Sequence, residues 1–263
     1  MKTFLKSHNM SLLVVGTVAF DAIETPFGKT DKIVGGAATY ISLAASFQTD
    51  KIDLVSVVGG DFPKEKIELL NSKGVNTKGL EVRENEKSFF WSGKYHNDMN
   101  TRDTIDTQLN VLLNFDPKVP AESKNPDFLM LGNLDPDLQG KVLDQMESRP
   151  KLIAMDTMNF WMDMKLDKLK ENISRIDVLT INDEEARQLT GEYSLVKASQ
   201  VILNWGPKYL IIKKGEHGAL LFDKNKNVFF APALPLEEVF DPTGAGDSFA
   251  GGFIGYLAAT NDI

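Results

Sequence analysis

Residues 241–253 read DPTGAGDSFAGGF, and the apolar residues 254–259 follow them directly. Gly244 and Gly246 permit a tight turn, and the residues after them are typical of a helix. Such a turn directs several unpaired backbone N–H groups at one point, where the helix dipole adds partial positive charge. The stretch therefore predicts an anion site, with phosphate as the expected ligand.

Asp247 adds a titratable group to this turn. A carboxylate in the first helical turn, beside an anion site, can accept the proton of an attacking hydroxyl. An isolated Asp at such a place is more often a helix cap. The preceding Gly-Ala-Gly favours the interpretation as a catalytic base.

The rest of the chain alternates between short apolar runs and amphipathic stretches. The pattern is typical of parallel strands buried on both faces and joined by helices, so we predict an α/β fold with a doubly wound, mostly parallel sheet flanked by helices. The predicted strands lie in SLLVVG (11–16), IDLVSVVG (52–59), FLMLGN (128–133), KLIAMDT (151–157), VLTIN (178–182) and YLIIKKG (209–215). The predicted helices span 36–47, 62–73, 136–147, 165–175, 183–190 and 195–205.

Two segments interrupt this alternation. Residues 18–34 and 78–110 are richer in polar and aromatic residues, and 87–95 alternate with a period of two. They predict a small antiparallel sheet that projects as a lid over a cleft; the alternative is a sheet edge with long loops. In either case the chain forms a single domain of residues 1–263.

The composition limits the class of protein and the partners. A chain of 263 residues can bury a sizeable core as one α/β domain. A formal net charge of −8 disfavours nucleic acid and anionic membranes as partners, because both attract basic surfaces. No apolar run approaches the ~20 residues of a membrane span, and the absence of cysteine excludes disulfides and thiolate metal sites. We expect a cytoplasmic protein.

The turn at 241–249 resembles a family motif. It is similar to D-T-T-G-A-G-D-x-F, the C-terminal motif of the ribokinase-like or PfkB family of kinases, and differs only at Pro242, where threonine is usual. The resemblance implies a ribokinase-like fold with a small β-sheet lid. It also implies an ATP- and Mg²⁺-dependent phosphotransferase that acts on a hydroxyl of a small sugar or sugar-like substrate.

The same resemblance assigns roles within the turn. Gly244, Ala245 and Gly246 would offer N–H groups to the transferred phosphoryl, and Asp247 would deprotonate the acceptor hydroxyl. The two other polar residues, Asp241 and Thr243, would lie near the phosphates and the metal.

Two further segments resemble the nucleotide side of the family. Residues 182–185 read NDEE and resemble an N-x-x-E motif, which implies that Glu185 organises Mg²⁺ through water and that Asn182 lies near the triphosphate. The alternative is an acidic first helical turn stabilised by the helix dipole. Residues 213–218 read KKGEHG and resemble the nucleotide-side turn, from which Lys213 and Gly215 are candidate ATP-binding residues.

The substrate end of the family is represented near the N-terminus. Asp21 occupies the place of an acid that grips sugar hydroxyls, and Gly35 and Gly36 allow a substrate close to the backbone. Many members have Asn where Ala19 stands, so one polar contact differs. Asn159, in a D-x-x-N stretch after a predicted strand, is a further substrate-binding candidate; the alternative is a turn former.

The sequence leaves two alternatives: a nucleoside in place of a sugar as the acceptor, and a binding protein in place of an enzyme. The aromatic residues at 89–95 alternate in a way that is more often an ordinary packed strand face, and a nucleoside acceptor of the adenosine-kinase type is the alternative that they also fit. The chain ends at Ile263, whereas family members usually continue with helices around the adenine, so the alternative is a ligand-binding protein without turnover. An exposed lid edge would permit a homodimer.

Overall fold

Two β-sheets organise residues 10–263, the part of the chain that this computed structural model describes. Residues 1–9, which belong to the predicted domain 1–263, lie outside the described residues. In chain order the strands are β1 (Leu12–Val15), β2 (Ala19–Thr25), β3 (Gly28–Lys29), β4 (Ile33–Gly35), β5 (Ile52–Gly59), β6 (Val75–Arg83), β7 (Phe90–Tyr95), β8 (Arg102–Gln108), β9 (Phe128–Leu131), β10 (Leu152–Asp156), β11 (Val178–Asn182), β12 (Tyr209–Lys213), β13 (Ala219–Asp223) and β14 (Val228–Ala231). The helices are α1 (Ala37–Ala45), α2 (Lys64–Ser72), α3 (Pro136–Asp144), α4 (Asn159–Met164), α5 (Leu166–Ile173), α6 (Asp183–Thr190), α7 (Leu195–Asn204) and α8 (Ala245–Thr260).

The larger sheet has nine strands in the order β14-β13-β12-β11-β10-β9-β1-β5-β6. From β6 to β12 every neighbouring pair is parallel. At the other edge β13 is reversed, so it pairs antiparallel with both β12 and β14. The prediction of a doubly wound, mostly parallel sheet is therefore confirmed. In such a sheet the carboxyl ends of the strands share one edge, where open α/β sheets bind their ligands.

The central strands are apolar on both faces because helices cover both. In β1 all four residues are at most 1% exposed. Leu13 and Val15 pack into one hydrophobic layer, and Leu12 and Val14 pack into the other. A Leu→Ala change in such a strand costs about 2–5 kcal/mol. This burial holds the strand ends, and the residues that follow them, in fixed positions.

The smaller sheet contains strands from both interrupting segments, in the order β3-β2-β7-β8 with β4 also paired to β2. Two details of the prediction were wrong. Residues 78–83 belong to β6 of the larger sheet, because an edge strand with one exposed face has a polar alternation like that of a lid strand. The sheet is also mixed, since β2 and β7 are parallel; the long connection through β5 and β6 allows this, whereas a hairpin would not.

The six predicted helices correspond to α1, α2, α3, α5, α6 and α7, with ends that differ by up to three residues. The short helix α4 was not predicted, because its first residues were interpreted as part of a D-x-x-N turn. The last helix, α8, packs against α1 and begins at the carboxyl edge of the larger sheet. Among residues 10–263, no helix combines the length and the apolar character needed to cross a membrane.

Candidate active site

The turn before α8 is held by its own hydrogen bonds. Gly244 has a φ of 75°, a left-handed conformation that favours glycine. The Asp241 carboxylate accepts from the Thr243 N–H at 2.9 Å, and the Ala245 N–H donates to the Pro242 carbonyl at 3.1 Å. The N–H of Ala245 is therefore used inside the turn, contrary to the role predicted for it. Within the described chain, the N–H groups of Gly244 and Gly246 have no acceptor.

Tyr40, on α1, packs against the turn before α8. A Cβ on Gly244 would collide with the Tyr40 ring, so the backbone of the turn packs directly on this ring. Burial raises the pKa of Tyr40 well above its ordinary value, and the charges of Asp21, Asp241 and Asp247 raise it further. The hydroxyl therefore stays protonated and can donate a hydrogen bond among three carboxylates. Sequence reasoning missed Tyr40, because it is an ordinary helix residue in the sequence pattern.

Asp247 lies in the first turn of α8, next to the unpaired N–H of Gly246. Withdrawal from water raises the pKa of its carboxyl from 3.8 to about 7, and the charge of Asp156 adds to the rise. The charge of Lys213 opposes it. A general base works best with a pKa near the operating pH, so this carboxylate is suited to take a proton from a hydroxyl.

Lys213 and Asp156 form a buried ion pair at the ends of β12 and β10. The Lys213 ammonium donates to Asp156 Oδ2 at 2.6 Å, and the Thr180 hydroxyl on the intervening strand β11 donates to the same oxygen at 2.9 Å. A Cβ on Gly246 would lie 3.1 Å from Lys213 Nζ. The ammonium thus joins the strand ends to the anion turn. Burial disfavours its charge, but Asp156 and Glu185 raise the pKa of Lys213 above its ordinary value.

Glu185 and Asn182 form a capping box at the start of α6. The Asn182 side chain accepts from the Glu185 N–H at 2.7 Å, and Glu185 Oε2 accepts from the Asn182 N–H at 2.8 Å. Burial raises the pKa of Glu185 from 4.5 to about 7, with a further contribution from Asp156. Glu185 therefore has the structural role of stabilising the first turn of α6, which the sequence left as an alternative. Its other carboxylate oxygen is still available to a water or a cation.

Asp21 and the paired glycines Gly35 and Gly36 lie together. Asp21, on β2, is buried, and a Cβ on Gly35 would collide with its carboxylate. Gly36 has a φ of 93° and caps α1. Burial raises the pKa of Asp21 from 3.8 to about 6; the Gly36 N–H opposes this rise and Asp241 adds to it. Only glycine at position 35 leaves room for this carboxylate.

Two further predicted residues begin short helical segments. Asn159, at the start of α4, donates to Gln188 Oε1 of α6 at 2.7 Å, so its amide is engaged between two helices rather than beside Asp21. Gly215 has a φ of 54° and opens the short 3₁₀ turn after β12. Asp156 was not among the predicted site residues, although its place at the end of a buried strand gives the same signal that singled out Asn182 and Lys213.

These residues fit a triphosphate and a divalent cation. Unpaired N–H groups and the Lys213 ammonium surround the turn, and the buried Thr157 hydroxyl, beside Asp156, has no partner among the described residues. Five carboxylates outnumber the nearby cations, which favours a bound positive ion. They are Asp21, Asp156, Glu185, Asp241 and Asp247. Residues 10–263 contain no group of three acidic or histidine side chains arranged to hold a metal directly.

Comparison with known proteins decides the family. The sequence pattern of the family described as "pfkB family carbohydrate kinase" matches residues 10–263. The chain belongs to the PfkB family. This PfkB kinase is therefore a phosphotransferase, and the resemblance found at residues 241–249 is confirmed.

Relatives of this PfkB kinase are named for nucleoside substrates. The cytidine kinase of Thermococcus kodakarensis is 30% identical over 250 residues, covering 93% of this chain and 87% of that protein. The nucleoside kinase of Methanothermobacter thermautotrophicus is 28% identical over 265 residues, covering 94% of this chain and 82% of that protein. A putative ribokinase II from E. coli, solved with ATP and Mg²⁺, has a TM-score of 0.77 at 20% identity, covering 94% of this chain and 85% of that one. That likeness confirms the ribokinase-like fold.

Proposed function

We propose that this kinase transfers the γ-phosphoryl group of ATP to a hydroxyl of a nucleoside, with Asp247 as the general base. The observation that carries the proposal is the position of Asp247, directly after the unpaired N–H groups of the turn and with a pKa raised to about 7. The names of the two relatives support a nucleoside acceptor. A small sugar, which the family description favours, is the alternative.

The proposed transfer assigns a role to each group around the turn. The acceptor oxygen bonds to the γ-phosphorus while Asp247 takes its proton, and the bond from the γ-phosphorus to the bridging oxygen of ADP breaks. The N–H groups of Gly244 and Gly246 would stabilise the charge on the transferred group. Asp21 would bind the other hydroxyls of the acceptor, close to the backbone at Gly35 and Gly36.

The nucleotide side uses the residues at the ends of β11 and β12. Lys213 would bind phosphate oxygens, and Gly215 would let the backbone approach the nucleotide. Asn182, Asp241 and Thr243 would lie beside the triphosphate. Mg²⁺, when bound through water at Glu185, supplies positive charge that neutralises the phosphates.

An acceptor panel tests the proposal. We expect Mg²⁺-dependent ATP consumption with a pyrimidine or purine nucleoside, measured against ribose, fructose and inositol. Asp247→Asn should lower kcat by about 1,000-fold and change substrate affinity less than about threefold, because a general base acts in the transition state. Asp167→Asn is the matched control, since Asp167 is an exposed first-turn carboxylate on α5; it should keep full activity.

The panel also separates the alternatives. Turnover with a sugar alone would replace the nucleoside by the sugar alternative. Binding without turnover for every acceptor, in a protein that melts cooperatively, would support the ligand-binding alternative instead. Equal activity of Asp247→Asn and wild type would contradict the role of Asp247.

We also propose that the chain works as one domain, with the small sheet as its lid and two copies joined through the lid. Support for the dimer comes from β8, an edge strand in which every residue is exposed, including Ile105 at 57%. Sizing chromatography that gives a monomer at micromolar concentration would end the dimer proposal. Dependence on ATP favours a cytoplasmic location.

A further inference from the structure

The tip of the β7–β8 hairpin, residues 95–102, has a fixed local structure. Asp98 accepts hydrogen bonds from the N–H groups of Asn100 and Thr101 at 3.0 and 2.9 Å, and from the Thr101 hydroxyl at 2.6 Å. The His96 ring is 2.9 Å from Asp103 Oδ2. These contacts are internal to the hairpin, so they fix the shape of its tip.

The tip touches both turns that flank the phosphate site. The Thr243 hydroxyl, just before α8, donates to the Tyr95 hydroxyl at 3.3 Å. On the nucleotide side, a Cβ on Gly215 would lie 3.3 Å from Asn100 Oδ1. The hairpin therefore spans from the catalytic turn to the nucleotide-side turn.

Arg102 stands on this hairpin opposite Tyr95. The two residues are direct partners in the β7–β8 ladder, so their side chains lie on the same face of the sheet. Tyr95 reaches the catalytic turn, and Arg102 is directed to the same side. Among the described residues the Arg102 guanidinium makes no ion pair and no hydrogen bond. The positive charge of Arg102 nevertheless lowers the pKa values of Asp247 and Glu185, against the rise that burial causes.

A second cation near the turn would offset the charge of the transferred phosphoryl. The transferred phosphoryl carries negative charge on three oxygens, and the charge of Lys213, the phosphate-binding ammonium, is shared with Asp156 at 2.6 Å. A guanidinium can bind two phosphate oxygens at once. We propose that Arg102 contacts the γ-phosphate of ATP, so that the lid hairpin stabilises the phosphoryl donor as well as covering the acceptor. This inference rests on the proposed function and adds a second cation to its site.

Nucleotide binding and turnover test the role of Arg102 together. Calorimetric titration with Mg·ATP and Mg·ADP, and steady-state kinetics, are run on Arg102→Ala, Arg102→Lys and the wild type. For Arg102→Ala we expect the Kd of ATP to rise about tenfold, the Kd of ADP to change less than about threefold, and kcat to fall about 1,000-fold. Free guanidinium ion should restore part of the rate of Arg102→Ala, and Arg102→Lys should lose less than Arg102→Ala.

Lys94→Ala is the matched control. Lys94 is an exposed cation on the same hairpin, but it pairs with Glu24 at 2.6 Å, away from the turns. It should bind and turn over like the wild type. Since Arg102 is exposed and forms no contact with the core, both variants should melt at the wild-type temperature.

The possible results decide separately on the two proposals. Unchanged ATP affinity and kcat in Arg102→Ala, or an equal loss of affinity for ATP and ADP, would overturn the role of Arg102 at the γ-phosphate. A wild type that binds ATP and phosphorylates no acceptor would end the proposed function, while the comparison of ATP with ADP would still decide on Arg102. A wild type that binds neither nucleotide would overturn both.

Discussion

The starts of α8 and α6 carry the same kind of group in different hydrogen-bonding environments. Asp247 and Glu185 are both first-turn carboxyls, and withdrawal from water raises the pKa of each to about 7. Glu185 is tied into a capping box with Asn182, whereas α8 begins at Gly244 with no side-chain cap. The raised pKa alone therefore does not separate a base from a metal-organising group. The hydrogen bonds do, because the uncapped helix start keeps its N–H groups for an anion.

Replacing the glycine at the start of α8 should have the largest effect on turnover. Gly244→Ala forces Ala into a left-handed conformation and against Tyr40, so we expect kcat to fall about 100- to 1,000-fold as the N–H groups are displaced. Steady-state kinetics measure this.

Gly191→Ala is the control for that change. Gly191 ends α6 with a φ of 72°, and a Cβ added to it would have no other atom within 4 Å. Gly191→Ala should lose about 1 kcal/mol of unfolding free energy from its left-handed backbone alone. Gly244→Ala should lose more, because its Cβ also collides with Tyr40. Equal losses of activity in the two would show that the position of the α8 turn does not matter for turnover.

The ion pair at the ends of β12 and β10 gives the next prediction. Lys213→Met leaves Asp156 buried without its partner, so we expect about 3 kcal/mol less unfolding free energy by denaturant titration. Adding Asp156→Asn should recover most of this loss. If Lys213→Met alone is as stable as the wild type, the pair does not organise the strand ends.

At the start of α6, the helix-capping role of Asn182 and the Mg²⁺-organising role of Glu185 should be separable by single substitutions. We expect smaller effects than for the two changes above. Glu185→Gln keeps an oxygen for the Asn182 N–H, so stability should change little while the Mg²⁺ concentration for half-maximal rate rises about tenfold. Asn182→Ala should instead cost about 1 kcal/mol of stability, by loss of the cap. An unchanged Mg²⁺ requirement in Glu185→Gln would leave Glu185 with the structural role only.

The sequence predicted those parts of the site that depend on local pattern. The turn at 241–247, the capping box at α6 and the ends of β11 and β12 all follow from short-range rules of strand, turn and helix. Of Asp156 and Asn159, at the end of β10 and after it, only Asn159 was predicted as a site residue, because the choice depends on which side chain faces Lys213 two strands away. Contacts of the lid tip could not be predicted either, since Tyr95 and Thr243 are separated by 148 residues.

The edge strand β6 shows the same limit in the fold. Its alternation of polar and apolar residues is equally compatible with a small lid sheet and with a half-exposed edge of the large sheet. Pairing with β5 decides between them, and that pairing is a tertiary contact. Local pattern thus predicted the elements, and long-range packing determined the sheet to which this one belongs.

The pH dependence of kcat/KM for the nucleoside tests the central claim, that Asp247 is the general base, most directly. Asp247 accepts a proton only as the carboxylate, so with a pKa of about 7 the rate should rise about tenfold per pH unit below 7 and level off above it. The residual rate of Asp247→Asn should lose this ionisation. An inflection near 4 would contradict the claim. So would an unchanged inflection near 7 in Asp247→Asn that Glu185→Gln removes, because the pKa of Glu185 is also raised to about 7.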